Sequence, residues 1–403
     1  MLGAIATAAV LAAGCGTTPG REERLGITFE AALSPDGALL AASTMNDEVA
    51  LFERAPLKFS AMLTRPGDRH VWGTGDKPPR PFPLFSSPLL AFAPDGGTLL
   101  AVGVSGQLVA WELPSRREKF RVPGGEGIHA VVALPDSQAF ITAGPDVVLW
   151  SASDGGRLGS LPLPESTEAT SVAVSPDGGV ALIGLSDGRI AAFHLATRQL
   201  LRTLAGHERP VYGVAFSPDG SMFASTAGRF DPRLWKVDPK GEFSIAERFA
   251  PGAASAAETS TGAAQGLGLL VWILGTVAGA HVVGAPTMGA PPVGSFAAAR
   301  IAQAPHEVPE PTACAPHIAF SPDGRTLAAT GSFPGVGQGS LVELGLQLFR
   351  FDLATGAAVN ATNGGCSIAF TPDSRYIVVT SGLEGAPVFR KVETLEWVKQ
   401  SGP

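Results

Sequence analysis

Apolar and polar positions alternate in short blocks along this chain. From 170 to 204 the blocks TSVAV, GVALIG, RIAAFHL and QLLRTL are broken by PDG, SDG and ATR, the pattern of four short strands joined by tight turns. In VYGVAFSPDG (211–220), Val211, Gly213 and Ala215 would point to one side and Tyr212, Val214 and Phe216 to the other. Such a strand is apolar on both faces and belongs between packed layers. Its ending has turn chemistry: Pro218 pre-sets φ, Asp219 can accept from nearby backbone N–H groups, and Gly220 tolerates positive φ.

That ending recurs. SPDG stands at 34–37, 175–178, 217–220 and 321–324, with APDG at 93–96, LPDS at 134–137 and TPDS at 371–374, seven copies in all. Eighteen residues after the first turn position stand Phe52, Trp111, Phe193, Trp235 and Phe389. Trp150 comes two residues early, and Phe349 and Phe351 are late, behind the insertion GSFPGVGQGSLVELG. A ring kept in step with a turn predicts a core position closing a third strand.

The turns are 59, 41, 41, 42, 104 and 50 residues apart, and the fifth step is too long for one unit. Inside it AAQGLGLLVWILGTVAGAH (263–281) aligns with APDGGTLLAVGVSGQLVAW (93–111), with Gly266, Leu269 and Leu270 in register and His281 in the place of the ring. This register predicts antiparallel strands at 267–273 and 279–284 and eight units; the alternative is seven units with a long apolar insertion. A meander of this size cannot bury both faces alone, so units must stack. The expectation is an all-β protein, a β-propeller of four-stranded antiparallel blades, eight preferred and seven the alternative. The last blade has its own outer-strand candidate in LEWVKQ (395–400) and needs no strand from the N-terminus.

LAGHERPVYGVAFSPDG (204–220), followed by FASTA and RLWKVD, resembles the WD40 repeat, with Trp-Lys where that repeat has Trp-Asp. The resemblance spans the chain from about residue 25, although most other units lack the Gly-His and Trp-Asp pairs. It implies a propeller over 25–403 and, within the blade at 217, a buried network of His207, Ser225, Trp235 and an Asp. Asp231 is the candidate for the last, two positions later than the pattern places it.

With 45% hydrophobic residues the chain can fill a large core, and 50 Gly with 34 Pro suit a fold with many turns. A net charge of −7 without a Lys/Arg stripe argues against nucleic acid as a partner. MLGAIATAAVLAAGCGTTPG is an apolar leader too short for a comfortable membrane span. LAAGC at its end resembles the lipobox of bacterial lipoproteins, with Ala12 where Leu is commoner and no Lys or Arg before the apolar run. The resemblance implies a signal peptide over 1–15, lipidation of Cys15, a tether over 16–24, and a site in the bacterial envelope facing the periplasm or the outside. An ordinary secretory leader, or an N-terminal tail that packs weakly, is the alternative.

Beyond Cys15 the cysteines are Cys314 and Cys366, seven and five residues before the turns of successive units. Both fall near the start of innermost strands, so in an oxidising compartment they are disulfide candidates, with two buried thiols as the alternative.

No nucleophile elbow, zinc-binding helix motif, phosphate loop or calcium loop occurs, and no cofactor is implied. His70, His129 and His306 fall in connections leading to innermost strands; with Asp76, Glu126, Glu307 and Glu310 they are weak candidates for metal or substrate ligands at a channel mouth. The long connections 70–87, 304–317 and 331–345 fall on one face, and Trp72, Arg80, Phe82 and Phe85 mix rings and cations as a binding loop would. The same rings could instead cap the core. The preferred function is an envelope-anchored scaffold for an unknown protein partner; the alternative is a propeller enzyme, a hydrolase or lactonase, with its site at the channel mouth.

Overall fold

The computed structural model describes residues 28–44, 49–54, 57–63, 90–103, 106–228, 231–238, 243–248, 317–332, 346–362, 367–380 and 387–398. Their strands form successive antiparallel meanders. The first is β1 (Thr28–Leu33), β2 (Leu39–Thr44), β3 (Val49–Arg54) and β4 (Leu57–Leu63). The second is β5 (Leu90–Phe92), β6 (Thr98–Val102), β7 (Gln107–Glu112) and β8 (Arg117–Pro123). The third is β9 (Ala130–Ala133), β10 (Ala139–Ala143), β11 (Val147–Ser151) and β12 (Arg157–Leu161). The fourth and fifth are β13 (Ala169–Val174), β14 (Val180–Leu185), β15 (Arg189–His194) and β16 (Gln199–Ala205), then β17 (Val211–Phe216), β18 (Met222–Ala227), β19 (Arg233–Val237) and β20 (Phe243–Arg248). The sixth is β21 (Ile318–Phe320), β22 (Thr326–Ser332), β23 (Leu346–Asp352) and β24 (Ala358–Thr362). The last has three strands, β25 (Ile368–Phe370), β26 (Tyr376–Val379) and β27 (Val388–Lys391), with a bridge from Arg390 to Trp397 in place of a full outer strand.

The innermost strands close a ring: β1 packs on β5, β5 on β9, and so on through β21 on β25 and β25 back on β1. The described residues thus make a seven-bladed propeller. The eight-blade expectation is corrected by one adjacency, because β17 lies directly against β21 and leaves no slot between the fifth and sixth blades. Residues 263–281, which suggested the extra unit, lie outside the described residues.

The recurring turn explains how the ring is held. In the first blade Ser34 Oγ donates to Asp36 Oδ1 (2.5 Å) and accepts from Leu39 N (2.9 Å), Asp36 Oδ1 accepts from Ala38 N (2.9 Å), and Gly37 takes φ +68°. Each turn also touches the next. Gly37 sits against Pro372, Gly96 against Pro35, Gly178 against Pro135, Gly220 against Pro176 and Gly324 against Pro218. Where Ser replaces Gly, its hydroxyl bridges instead: Ser137 Oγ accepts from Asp95 N and Ser374 Oγ from Asp323 N, both at 3.0 Å. These contacts account for all seven blade junctions, including that of the last blade with the first.

Packing between blades follows the aromatic register. Phe52 pairs with Leu40, Trp111 with Leu99, Trp150 with Phe140, Phe193 with Ala181, Trp235 with Phe223 and Phe351 with Leu327, one equivalent position in six blades. Trp235 stacks on Phe223 with centroids 5.3 Å apart. In the seventh blade the structure corrects the expectation, since Arg390 and not Phe389 holds that register, opposite Ile377. Its guanidinium lies over the Trp397 ring, 3.6 Å from the centroid, and Nη1 donates to Leu395 O at 2.6 Å. A planar cation thus takes the place of a ring. Phe389 turns to the other face and joins Phe52, Ala31 and Val378 in the core between last and first blades.

Candidate functional site

A four-stranded meander puts its first and third turns on one face and its second turn and the passage to the next blade on the other. The first face carries the Pro-Asp-Gly turns. The second receives both ends of the connections 64–89, 249–317 and 333–345, much longer than 124–129, 162–168 and 206–210 in the same role or beside it. The innermost strands below touch one another all the way round, so this loop face stands on a closed ring.

On the described part of that face the best-built feature is in the fifth blade. His207, in the passage from β16 to β17, is fully buried and has both ring nitrogens engaged: Nδ1 with Asp231 Oδ2 at 3.0 Å and Nε2 with Ser225 Oγ at 2.7 Å. Trp235 Nε1 donates to Ser225 Oγ at 2.9 Å, and Arg233 donates to Asp231 Oδ2 through Nη2 (2.6 Å) and Nε (3.1 Å). An ionised carboxylate only accepts, so Nδ1 carries the proton toward Asp231 and Nε2 accepts from the Ser225 hydroxyl. Burial pushes the Asp231 carboxyl up, but hydrogen bonds from His207 and Arg233 outweigh it and bring it down to about 2. The order Ser-His-Asp is that of a nucleophile and its base, but the chemistry is not available to Ser225 here. Its side chain is fully buried and its oxygen is occupied by the indole N–H, so no substrate carbonyl can reach it. The arrangement fixes the passage 206–210 to β18 and β19. The third blade keeps a reduced version in which Trp150 Nε1 donates to Thr142 Oγ1 at 2.9 Å.

Of the ligand candidates, His129 directly precedes β9, with Nε2 4.0 Å from Glu168 and a buried Nδ1 that makes no hydrogen bond. Burial holds its pKa below the usual imidazole value, and Glu168 opposes that shift. Among the described residues no three His, Cys, Asp or Glu side chains come together as metal ligands. His70, His306, Glu307, Asp76 and Glu310 lie outside the described residues, as do the binding-loop candidates Trp72, Arg80, Phe82 and Phe85 and the cysteines Cys15, Cys314 and Cys366.

One buried pair had no signal in the sequence. Glu30, at a bulge of β1, reaches past the seventh blade to His317 before β21, Oε1 to Nε2 3.6 Å. Burial raises the Glu30 carboxyl well above its ordinary value, and Oε2 makes no hydrogen bond. Beside it Ala31 N donates to Ser367 Oγ at 2.9 Å. The first contact ties the first blade to the sixth and the second ties it to the seventh, so both fasten the ring where it closes.

Comparison with known proteins supports the class to which this geometry belongs. Residues 198–235, the blade with the His207 network, match the family WD domain, G-beta repeat. The beta-propeller domain of Cps50 (Swd1) from Myceliophteria thermophila superposes with a TM-score of 0.59 at 13% identity, covering 92% of this chain and 95% of that one, a likeness of fold. The fold is that of a β-propeller, and its fifth blade matches the WD40 repeat.

Among individual proteins, the chain is similar to the Periodic tryptophan protein 2 homolog of Schizosaccharomyces pombe, 36% identical over 18% of this chain and 9% of that protein. It is also similar to Guanine nucleotide-binding protein subunit beta-like protein 1 of Mus musculus, 31% identical over 35% of this chain and 44% of that protein. Transducin beta-like protein 3 of Rattus norvegicus is 28% identical over 32% of this chain and 18% of that protein. The matches thus span less than half the length of each of these relatives.

Proposed function

We propose that this protein is an envelope-anchored scaffold whose loop face holds a protein partner. The observation that carries the reading is that both ends of the three longest connections open on one face of a closed ring, the arrangement in which binding residues concentrate. Trp72, Arg80, Phe82 and Phe85 in the first of them supply rings and a cation of the kind that anchors protein interfaces. The net charge of −7 favours a protein over a nucleic acid as the partner. LAAGC at Cys15 supports attachment through a lipid, with 16–24 as tether and the propeller facing the periplasm or the outside.

The test is quantitative capture from membrane extract, comparing the intact protein with a variant in which Trp72, Phe82 and Phe85 are Ala. The account expects one or a few partners retained by the intact protein and lost by the variant, with unchanged unfolding of the ring. Equal capture by both proteins would remove the loop from the account.

A further inference from the structure

The outward surface of the ring is not uniform. Among the described residues the exposed large apolar side chains are Leu158 (48%), Leu200 (45%), Leu201 (51%), Ile245 (43%) and Trp397 (42%). Trp397 is covered by the Arg390 guanidinium on one ring face. The other four stand on β12, β16 and β20, the outermost strands of three successive blades, each within the first three residues of its strand and so at one level of the rim. The outer strands β8 and β24 expose no such side chain.

The apolar positions are interleaved with cations. Arg157 precedes Leu158, and Arg198 and Arg202 flank Leu200 and Leu201; all three arginines are exposed. The guanidinium of Arg198, from the turn before β16, lies over Gly159 of β12, where an added Cβ would meet Nη1. Arg198 therefore bridges the two blades and makes the rim from Leu158 to Leu200 continuous.

We propose that the rim of the third to fifth blades docks on an anionic lipid surface. Leucines that enter the boundary between headgroups and acyl chains, flanked by arginines that pair with phosphates, are the composition such a surface recognises. A protein partner would be served by the leucines alone; the alternation of leucines with exposed arginines on β12 and β16 favours an anionic lipid surface. This docking does not depend on a lipid at Cys15, and it would fix which way the loop face is turned.

The experiment uses the full chain with Cys15→Ser, which carries no lipid, and co-sedimentation with vesicles of phosphatidylglycerol and phosphatidylethanolamine or of phosphatidylcholine alone. Binding is expected to the anionic vesicles and to weaken with salt. It should fall about tenfold in Leu158→Ser/Leu200→Ser/Leu201→Ser and by a similar factor in Arg198→Gln/Arg202→Gln. These positions are exposed, and an unchanged thermal transition checks that the variants fold. No binding to anionic vesicles, equal binding to phosphatidylcholine, or rim variants that bind like the parent would each overturn the proposal. So would a dimer in solution abolished by the leucine variant, since the rim would then serve a second copy. Whether Cys15 is lipidated is read separately, by fractionation of the unmodified chain.

Discussion

Gly37→Ala tests how tightly the first blade closes on the last. Gly37 and Gly96 occupy the same turn position in neighbouring blades, at φ +68° and +72°. Alanine at either site pays the left-handed backbone penalty of about 1 kcal/mol. The surroundings differ. A Cβ at Gly96 would stand 3.8 Å from Pro35 Cδ, ordinary contact, whereas at Gly37 it would stand 2.7 Å from Pro372 Cδ and 2.9 Å from Cγ. A proline ring cannot rotate out of the way, so the turn itself must shift, and overpacking of this kind adds roughly 1 to 3 kcal/mol. Gly96→Ala should therefore cost about 1 kcal/mol and Gly37→Ala about 2 to 4 kcal/mol. Urea unfolding followed by tryptophan fluorescence measures both, with the Gly96 variant cancelling the backbone contribution. Equal unfolding midpoints for the two variants would refute the packing of the seam.

Three further outcomes are expected. Asp231 sits below its ordinary 3.8 in the folded chain, at about 2, so its contribution to stability is present above pH 4 and lost as pH falls from about 4 to 2; Asp231→Asn should flatten the stability profile across that window, and an unchanged profile would contradict the pairing with His207 and Arg233. Cys15→Ser should release the protein from the membrane fraction and remove a lipid mass shift; a parent chain without lipid would show that LAAGC is not a lipidation signal. Non-reducing peptide mapping of exported protein should find Cys314 joined to Cys366, a bridge worth roughly 2 to 4 kcal/mol to the last two blades, and two freely alkylated thiols would end that proposal.

Much of the architecture was legible because it is local and repeated. The Ser-Pro-Asp-Gly turn and the ring that follows it set strand ends and one packing face blade by blade, and β13 to β16 fall where the apolar blocks of 170–204 put them. Blade number was not legible, because it depends on which inner strands touch. An apolar run with Gly and Leu in register, such as 263–281, satisfies a strand pattern whether or not the ring has a slot for it. The exchange of Phe389 for Arg390 was hidden for a related reason: spacing finds a ring, but not the one-residue slip that turns it to the opposite face and leaves a guanidinium on Trp397 in its place. The Glu30–His317 pair joins side chains of the first and sixth blades, far apart in the chain, and nothing near either residue announces it. At the His207 site the sequence named the members but not the order of their hydrogen bonds, which is what excludes Ser225 as a nucleophile.

Direct contact between the fifth and sixth blades is the point on which the seven-bladed ring rests. Pro322 is exposed and lines the same crevice as Pro218, Asp219 and Met222. With the photoreactive residue p-benzoylphenylalanine in place of Pro322, irradiation followed by peptide mass spectrometry should find cross-links in the segment 218–222. Cross-links that fall instead within 249–316 would put another unit between those blades and contradict the account.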